Sequence, residues 1–489
     1  MIPVLLIAIP LIGGLAGFFI KNRDGARSWS LVVSLATLAV SLWSLGVART
    51  SQLLHADYQW LPDLGSRFAA GLDGMGFVLT LLTAISFPII FIATWRDEYR
   101  GKSWNFYALM LLSQAGLMGV FLAMDALVFY FFWELALIPV YFLCSQWGGE
   151  RRIQATFKFF VYTFLGSLLM LVGIIWLWNK TPDHSFALES FYKLRSLTGS
   201  DQMWIFWMMF AAFAIKMPIW PLHTWQPDAY EQSPTAATMV LSGIMVKMGL
   251  FGVLRWLAPV IPAATWAWGD TVSLLCVVGM IYASLVAIQQ DDLKRLIAYS
   301  SIAHIGLMCL AIFATNATGM QGVMIQMFSH GINIIGMWIV VDLIERQMGT
   351  RKISQLGGLA TKAPTLAILL VVVALANVAL PLTNAFIGEF LLFSGIFTST
   401  ATEHSGLITV TAGLTIILGA VYTLNMIQRV FFGETNALTS TAKDIKTNEK
   451  MVLAAIVVLI LVFGVYPKPM LDLTKEAVET IVTKMNYKL

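Results

Sequence analysis

Runs of about eighteen or more apolar residues, separated by short polar breaks, recur along this chain from end to end. A chain of 489 residues in which 58% are hydrophobic and 12% charged cannot hide so much apolar surface inside one water-soluble core. The solvent for most of these residues must be lipid. The fold expected is an all-α polytopic membrane protein. The net charge of +4 is small, and no basic run carries interleaved aromatics, so nucleic acid is not an expected partner. The bilayer itself is.

The runs place spans near residues 2–20, 29–47, 75–94, 104–122, 125–146, 157–178, 203–227, 234–257, 270–289, 296–314, 320–344, 364–398, 406–432 and 450–467, about fourteen in all. The first run lacks a charged leader and an A-x-A site, so it reads as a retained helix. The tail from Lys468 to Leu489 mixes charges with apolar residues and reads as an amphipathic surface helix. Lys21, Arg23, Arg27, Arg96, Arg100, Lys102, Arg151, Arg152, Lys294, Arg295, Arg346, Arg351, Lys352, Lys362, Arg429, Lys443, Lys446 and Lys450 fall in loops on one side, against few cations opposite. The positive-inside rule then puts both termini outside.

A weak internal repeat is present. Asp125 corresponds to Asp292, Gly166 to Gly331 and Pro221-Leu222 to Pro381-Leu382, all at offsets of 160–167 residues. The domains that follow are 1–103, a three-helix segment; 104–257, a five-helix repeat; 270–432, a second repeat, inverted because five spans is an odd number; and 433–489, a last span and tail. Prolines break span seven (Pro218, Pro221) and span twelve (Pro381). Paired broken helices in inverted repeats mark transporters, because freed backbone carbonyls are tolerated only beside a wet or protein-lined cavity.

Charged residues lie where lipid would forbid them. Lys216 precedes the first break, and Glu389 follows the second. Glu134 in FYFFWELALIPVYFL and Lys247 in LSGIMVKMGLFGVL lie roughly 15–20 Å from their entry faces at 1.5 Å per residue. A Glu134–Lys216 ion pair is geometrically open. Each such group costs at least ~2.5 kcal/mol to insert, which favours a proton path over simple ionic glue between helices. His304 and His330 on spans ten and eleven fit the same path; a haem pair is the alternative. Asp228 and Glu231 mark either a solvated helix end or a channel mouth. Cys144, Cys276 and Cys309 have no metal-ligand spacing and read as buried thiols.

The segments WELALIPVYFL, KMPIWPLHTWQPDAYEQSPTAATMVLSGIMVKMGLFGVLR and DDLKRLIAYSSIAHIG together resemble the antiporter-like membrane subunits of NADH:quinone oxidoreductase, respiratory complex I. The resemblance covers nearly the whole chain. It is closest to the M-type branch, which carries glutamate where other branches carry lysine on span twelve; here that residue is Glu389. The resemblance implies fourteen helices with two inverted five-helix repeats, in a bacterial inner membrane. It implies proton translocation through Glu134 and Lys216 as a coupling pair, Lys247 as central carrier, His304 and His330 along the axis, and Glu389 toward the outside. NADH, flavin, iron–sulfur clusters and quinone would all belong to partner subunits, with no cofactor or metal in this chain. Where the family pattern has histidine in the PDAH segment, this chain has Tyr230, which removes a titratable group from the inner end of span seven. A cation/proton antiporter subunit, a membrane-bound hydrogenase subunit and a purely structural spacer are the competing readings.

Overall fold

The computed structural model describes every residue except Arg100, Lys102, Thr198 and 487–489. Arg100 and Lys102, counted above among the inner cations, and the last three residues of the tail therefore lie outside the described residues. The helices are α1 (Ile2–Gly17), α2 (Arg23–Leu45), α3 (Gly74–Ala93), α4 (Ser103–Leu122), α5 (Ala126–Trp147), α6 (Arg152–Lys180), α7 (Gly199–Lys216), α8 (Trp225–Gln232), α9 (Thr235–Leu257), α10 (Pro262–Ile288), α11 (Leu293–Ile312), α12 (Ala317–Met348), α13 (Pro364–Asn377), α14 (Asn384–Phe397), α15 (Ser405–Phe432), α16 (Thr447–Val465) and α17 (Lys468–Met485). Eleven helices among the described residues are long and apolar enough to cross a bilayer.

The layering follows from which faces must avoid lipid. The apolar stretches of α9 and α12 are wholly buried, while those of α2, α6, α15 and α16 are mostly exposed. The two buried helices carry Lys247 and His330, so the ionisable residues sit on the axis, shielded by an outer ring of apolar helices.

Both expected breaks are present. Span seven is α7 and α8, separated by residues 217–224 with Pro218 and Pro221; span twelve is α13 and α14, separated by 378–383 with Pro381. Trp225 Nε1 donates to the Ile215 carbonyl at 2.9 Å, satisfying backbone freed at the first break. Gly249 lets α9 approach that break closely, since a Cβ there would lie 2.6 Å from the Phe213 carbonyl oxygen.

The Asp125 and Asp292 positions are built alike. Each caps its helix through two backbone N–H groups, Leu127 and Val128 for α5, Lys294 and Arg295 for α11. Beside each runs a pair of strand-like hydrogen bonds: Ala126 N–H to Phe186 O and Leu188 N–H to Met124 O at the first, Leu293 N–H to Arg351 O and Ile353 N–H to Asp291 O at the second.

Three features depart from the sequence reading. A small antiparallel hairpin, β1 (His55–Leu61) and β2 (Ser66–Gly71), joins α2 to α3, too short and too polar to register in a search for apolar runs. The second span starts at Arg23, not 29, because the Asn22 side chain caps it and Arg27 is paired with Asp24. The tail helix α17 buries Met470, Thr474, Val478, Ile481 and Met485 as one stripe, with Ala477 packing near Gly74 of α3 and the Met485 carbonyl accepting from Trp266, so it is strapped to the bundle along one face.

Candidate functional site

Lys247 sits in a helix whose own turns are irregular. Two wide turns, Leu241–Met245 and Val253–Leu257, flank it, with i to i−5 bonds from Val246 N–H to Leu241 O and from Ala258 N–H to Val253 O. The Lys247 ammonium donates to the Ser242 carbonyl at 2.8 Å, inside the first wide turn, and meets His330 Nδ1 at 2.8 Å. With Lys247 charged, Nδ1 must accept. The ring proton is then on Nε2, which faces Ser301 Oγ at 3.3 Å. Both residues are fully enclosed.

The row continues. The His330 and His304 rings are 5.6 Å apart, and His304 Nδ1 lies 3.3 Å from Glu389 Oε1. Gln326 also donates to Glu389. Beside this pair is a cavity of about 20 Å³ lined by His304, Asn377, Glu389, Thr415 and Tyr422, room for roughly one water. Asn377 and Tyr422 both donate to Ser300 Oγ, at 3.2 and 3.0 Å, which fixes the polar wall of that cavity. Four of the six residues singled out in sequence, Lys247, His330, His304 and Glu389, thus form one row from the middle of α9 to α14.

Glu134 and Lys216 behave differently. The expected direct ion pair does not form. Lys216 is buried with no hydrogen-bond partner, its Nζ 5.4 Å from the centre of the Trp133 ring and 6.0 Å from Phe159. The physical reason is helical geometry. Trp133 takes the position facing Lys216, so its neighbour Glu134 is turned ~100° around α5. Glu134 borders an apolar cavity with Trp60, Phe131 and Ile138, toward the outer surface of the bundle. The two charges are close enough to feel each other and are not in contact.

Asp228 and Glu231 are not simply solvated. Lys158 and Arg295 hold Asp228 at 2.8 and 3.2 Å, and Arg295, Arg151 and Arg351 hold Glu231 at 2.8, 3.0 and 3.2 Å. A second cluster, missed in the sequence, gathers Asp97, Asp342 and Glu449 around Arg346. Hydropathy had ended span eleven at 344 and left Arg346 to a loop, whereas α12 runs on to Met348. Burial and the neighbouring Asp342 push the Asp97 carboxyl up to about 8.

The three cysteines are buried and free. Among the described residues no group of three or more His, Cys, Asp or Glu is placed to hold a metal ion.

Residues 123–425 match the family described as NADH:quinone oxidoreductase/Mrp antiporter, transmembrane. NADH-quinone oxidoreductase subunit M of Rhodobacter capsulatus is 38% identical over 95% of this chain and 91% of that protein. F(420)H(2) dehydrogenase subunit M of Methanosarcina mazei is 36% identical over 99% of both, and the Escherichia coli NADH-quinone oxidoreductase subunit M is 32% identical over 97% of this chain and 96% of its own length. Among solved structures, a chain of respiratory complex I from Thermus thermophilus superposes with a TM-score of 0.89 at 26% identity, covering 99% of this chain and 100% of that one. A chain of the Mrp complex from Dietzia shares the fold, with a TM-score of 0.87 at 18% identity and 99% coverage of both. With its buried Lys–His–His–Glu row and these relatives, the chain belongs to the NADH:quinone oxidoreductase/Mrp antiporter family of membrane subunits.

Proposed function

We propose that this chain is the M-type membrane subunit of an NADH:quinone oxidoreductase and moves protons across a bacterial inner membrane, driven by redox chemistry in partner subunits. The observation that carries the reading is the buried row Lys247–His330–His304–Glu389, in which every group can hold or pass a proton and none faces lipid. Lys247 is the central carrier, His330 and His304 relay, and Glu389 discharges to the outside. Lys216 and Glu134 form the coupling pair, acting through the field across Trp133 and not through a direct bond. NADH, flavin, iron–sulfur clusters and quinone sit in other subunits, and neighbouring antiporter-like subunits pack against the exposed apolar helices.

The proposed topology has about fourteen crossings with both termini outside, and two inverted repeats over 104–257 and 270–432. The like construction at Asp125 and Asp292 supports the repeat. A second reading has a specific basis: the Methanosarcina relative is named as a subunit of an F(420)H(2) dehydrogenase, so this chain could serve an assembly with that electron donor.

The test uses the assembled complex in inverted vesicles, with quinone reduction and proton uptake followed together. Lys247→Ala should abolish proton uptake while the complex still assembles. Undiminished pumping by that variant would sink the relay. Comparing NADH with reduced F420 as donor for the purified complex decides between the two assemblies.

A further inference from the structure

The charges around Arg346 do not balance. Its guanidinium lies 3.3 Å from Asp97 Oδ1, 2.9 Å from Asp342 Oδ2 and 3.6 Å from Glu449 Oε1. One cation serves three carboxyl groups, all largely enclosed. Lys294, the other cation whose field reaches Asp97 and Asp342, is held by Glu345 at 2.7 Å. Arg23 of α2 spends its guanidinium on the Asp97 backbone carbonyl and on Glu98. The remaining facing groups, Tyr99 in the same loop and Tyr107 of α4, are neutral phenols. Like charges this close cannot all stay ionised, so the cluster holds a proton.

Which carboxyl holds it follows from hydrogen bonding. Glu449 accepts the Lys446 backbone N–H at 2.8 Å in the first turn of α16 and so has a hydrogen-bond donor of its own. Asp342 takes the close Arg346 contact one helical turn away. Asp97 is the least firmly held: its Oδ1 has only the longer 3.3 Å approach of Arg346, and its remaining partner is the neutral Tyr99 hydroxyl.

The cluster has water on one side and a polar row on the other. An open cavity of about 630 Å³ is lined by Trp95, Arg96, Lys446 and Asn448, the chain neighbours of Asp97 and Glu449. On the inward side the Thr235 hydroxyl lies against Asp342. Thr235, Thr238 and Ser242 follow at helical spacing on one face of α9, all buried, and Ser242 O accepts from Lys247. The Tyr230 and Trp338 rings, 5.9 Å apart, are buried along this stretch.

We propose that Asp97, with Asp342 and Arg346, is the inner-side proton-loading site that supplies Lys247 through the Thr235–Thr238–Ser242 face of α9. This rests on the proton-translocating reading above. In the step, Asp97 takes a proton from inner water and gives it to the Asp342 carboxylate. That proton crosses by hydroxyls and water to the neutral amine of Lys247. Arg346 stays charged throughout, and Asp97 returns to its anion before reloading.

Asp97→Asn separates loading from bracing, because it copies the protonated form permanently. In the assembled complex in inverted vesicles, Asp97→Asn should cut proton uptake severalfold and flatten its dependence on inner-side pH, with thermal stability kept or raised. Asp97→Glu should restore most of the uptake. The wild-type minus Asp97→Asn infrared difference should contain a protonated-carboxyl band at neutral pH that disappears as the pH is raised through about 8. The sign is that of an acid whose folded-state value lies above its ordinary one: the proton is held at low pH and lost as pH rises. Should Asp97→Asn not assemble, Asp342→Asn carries the same test. Wild-type uptake with an unchanged pH profile would overturn the proposal, as would lowered stability with uptake intact, which is the mark of a salt-bridge brace. Lys247→Ala run in parallel tells the failures apart: if it stops uptake and Asp97→Asn does not, only the loading site falls.

Discussion

At the scale of single residues, the decisive contrast is between Glu389 and Lys216. Both lie beside a helix break, yet Glu389 is engaged by His304 and Gln326 while Lys216 has only aromatic faces around it. A carboxylate so enclosed is tolerated because a histidine proton can be shared with it. Moving a charge across the membrane is worth ~2.3 kcal/mol per 100 mV, so the affinity of the Glu389 site must change by more than that in each cycle. Glu389→Ala should therefore reduce proton uptake to background, whereas Glu389→Lys should keep part of it, read as membrane potential generated per quinone reduced. Alanine pumping like wild type would make Glu389 structural. The sequence displayed these residues openly, since a charge inside an apolar run stands out against its neighbours. It did not display their partners: Ser301, Asn377 and Tyr422 are ordinary polar residues until the packing brings them to the row.

At the scale of elements, hydropathy located the eleven long apolar helices and the prolines marked the two breaks, because eighteen apolar residues in lipid have little choice but to form a helix. It misjudged ends governed by other forces. Asn22 capping extends α2, the inner charge cluster extends α12, and the β1–β2 hairpin carries no apolar run at all. The contact between α7 and α9 rests on a missing side chain. A Cβ at Gly249 would lie 2.6 Å from Phe213 O and 2.9 Å from Met217 N, both backbone atoms next to Lys216. Gly249→Ala should cost about 1–3 kcal/mol, as overpacked cores do. A lower thermal midpoint together with weakened pumping is the expected result. An unchanged midpoint would show that the break yields freely.

At the scale of the whole molecule, the arrangement is an insulated polar axis. The helices α9 and α12, which carry Lys247 and His330, are those whose apolar stretches are wholly buried within the bundle. The purified chain should be colourless in the visible range, checked by its absorption spectrum; a stoichiometric Soret band would revive the paired-histidine haem alternative. The clusters around Glu231 and Arg346 were legible at most in single members, such as Asp228 and Glu231 at the end of span seven, for a global reason. Their members come from six or more segments scattered along the chain, each plain as a loop charge until folding collects them.

The wide turns of α9 have one more consequence. Each holds a surplus residue relative to a regular helix, like slack in a rope. Taking up the slack on one side of Lys247 and paying it out on the other would swing the lysine ~100° about the axis and ~1.5 Å along it, with both helix ends fixed in the bundle. That motion swaps one set of neighbours for another without any hinge or domain rotation. Such a shift would be the difference between a lysine that touches His330, as here, and one that does not.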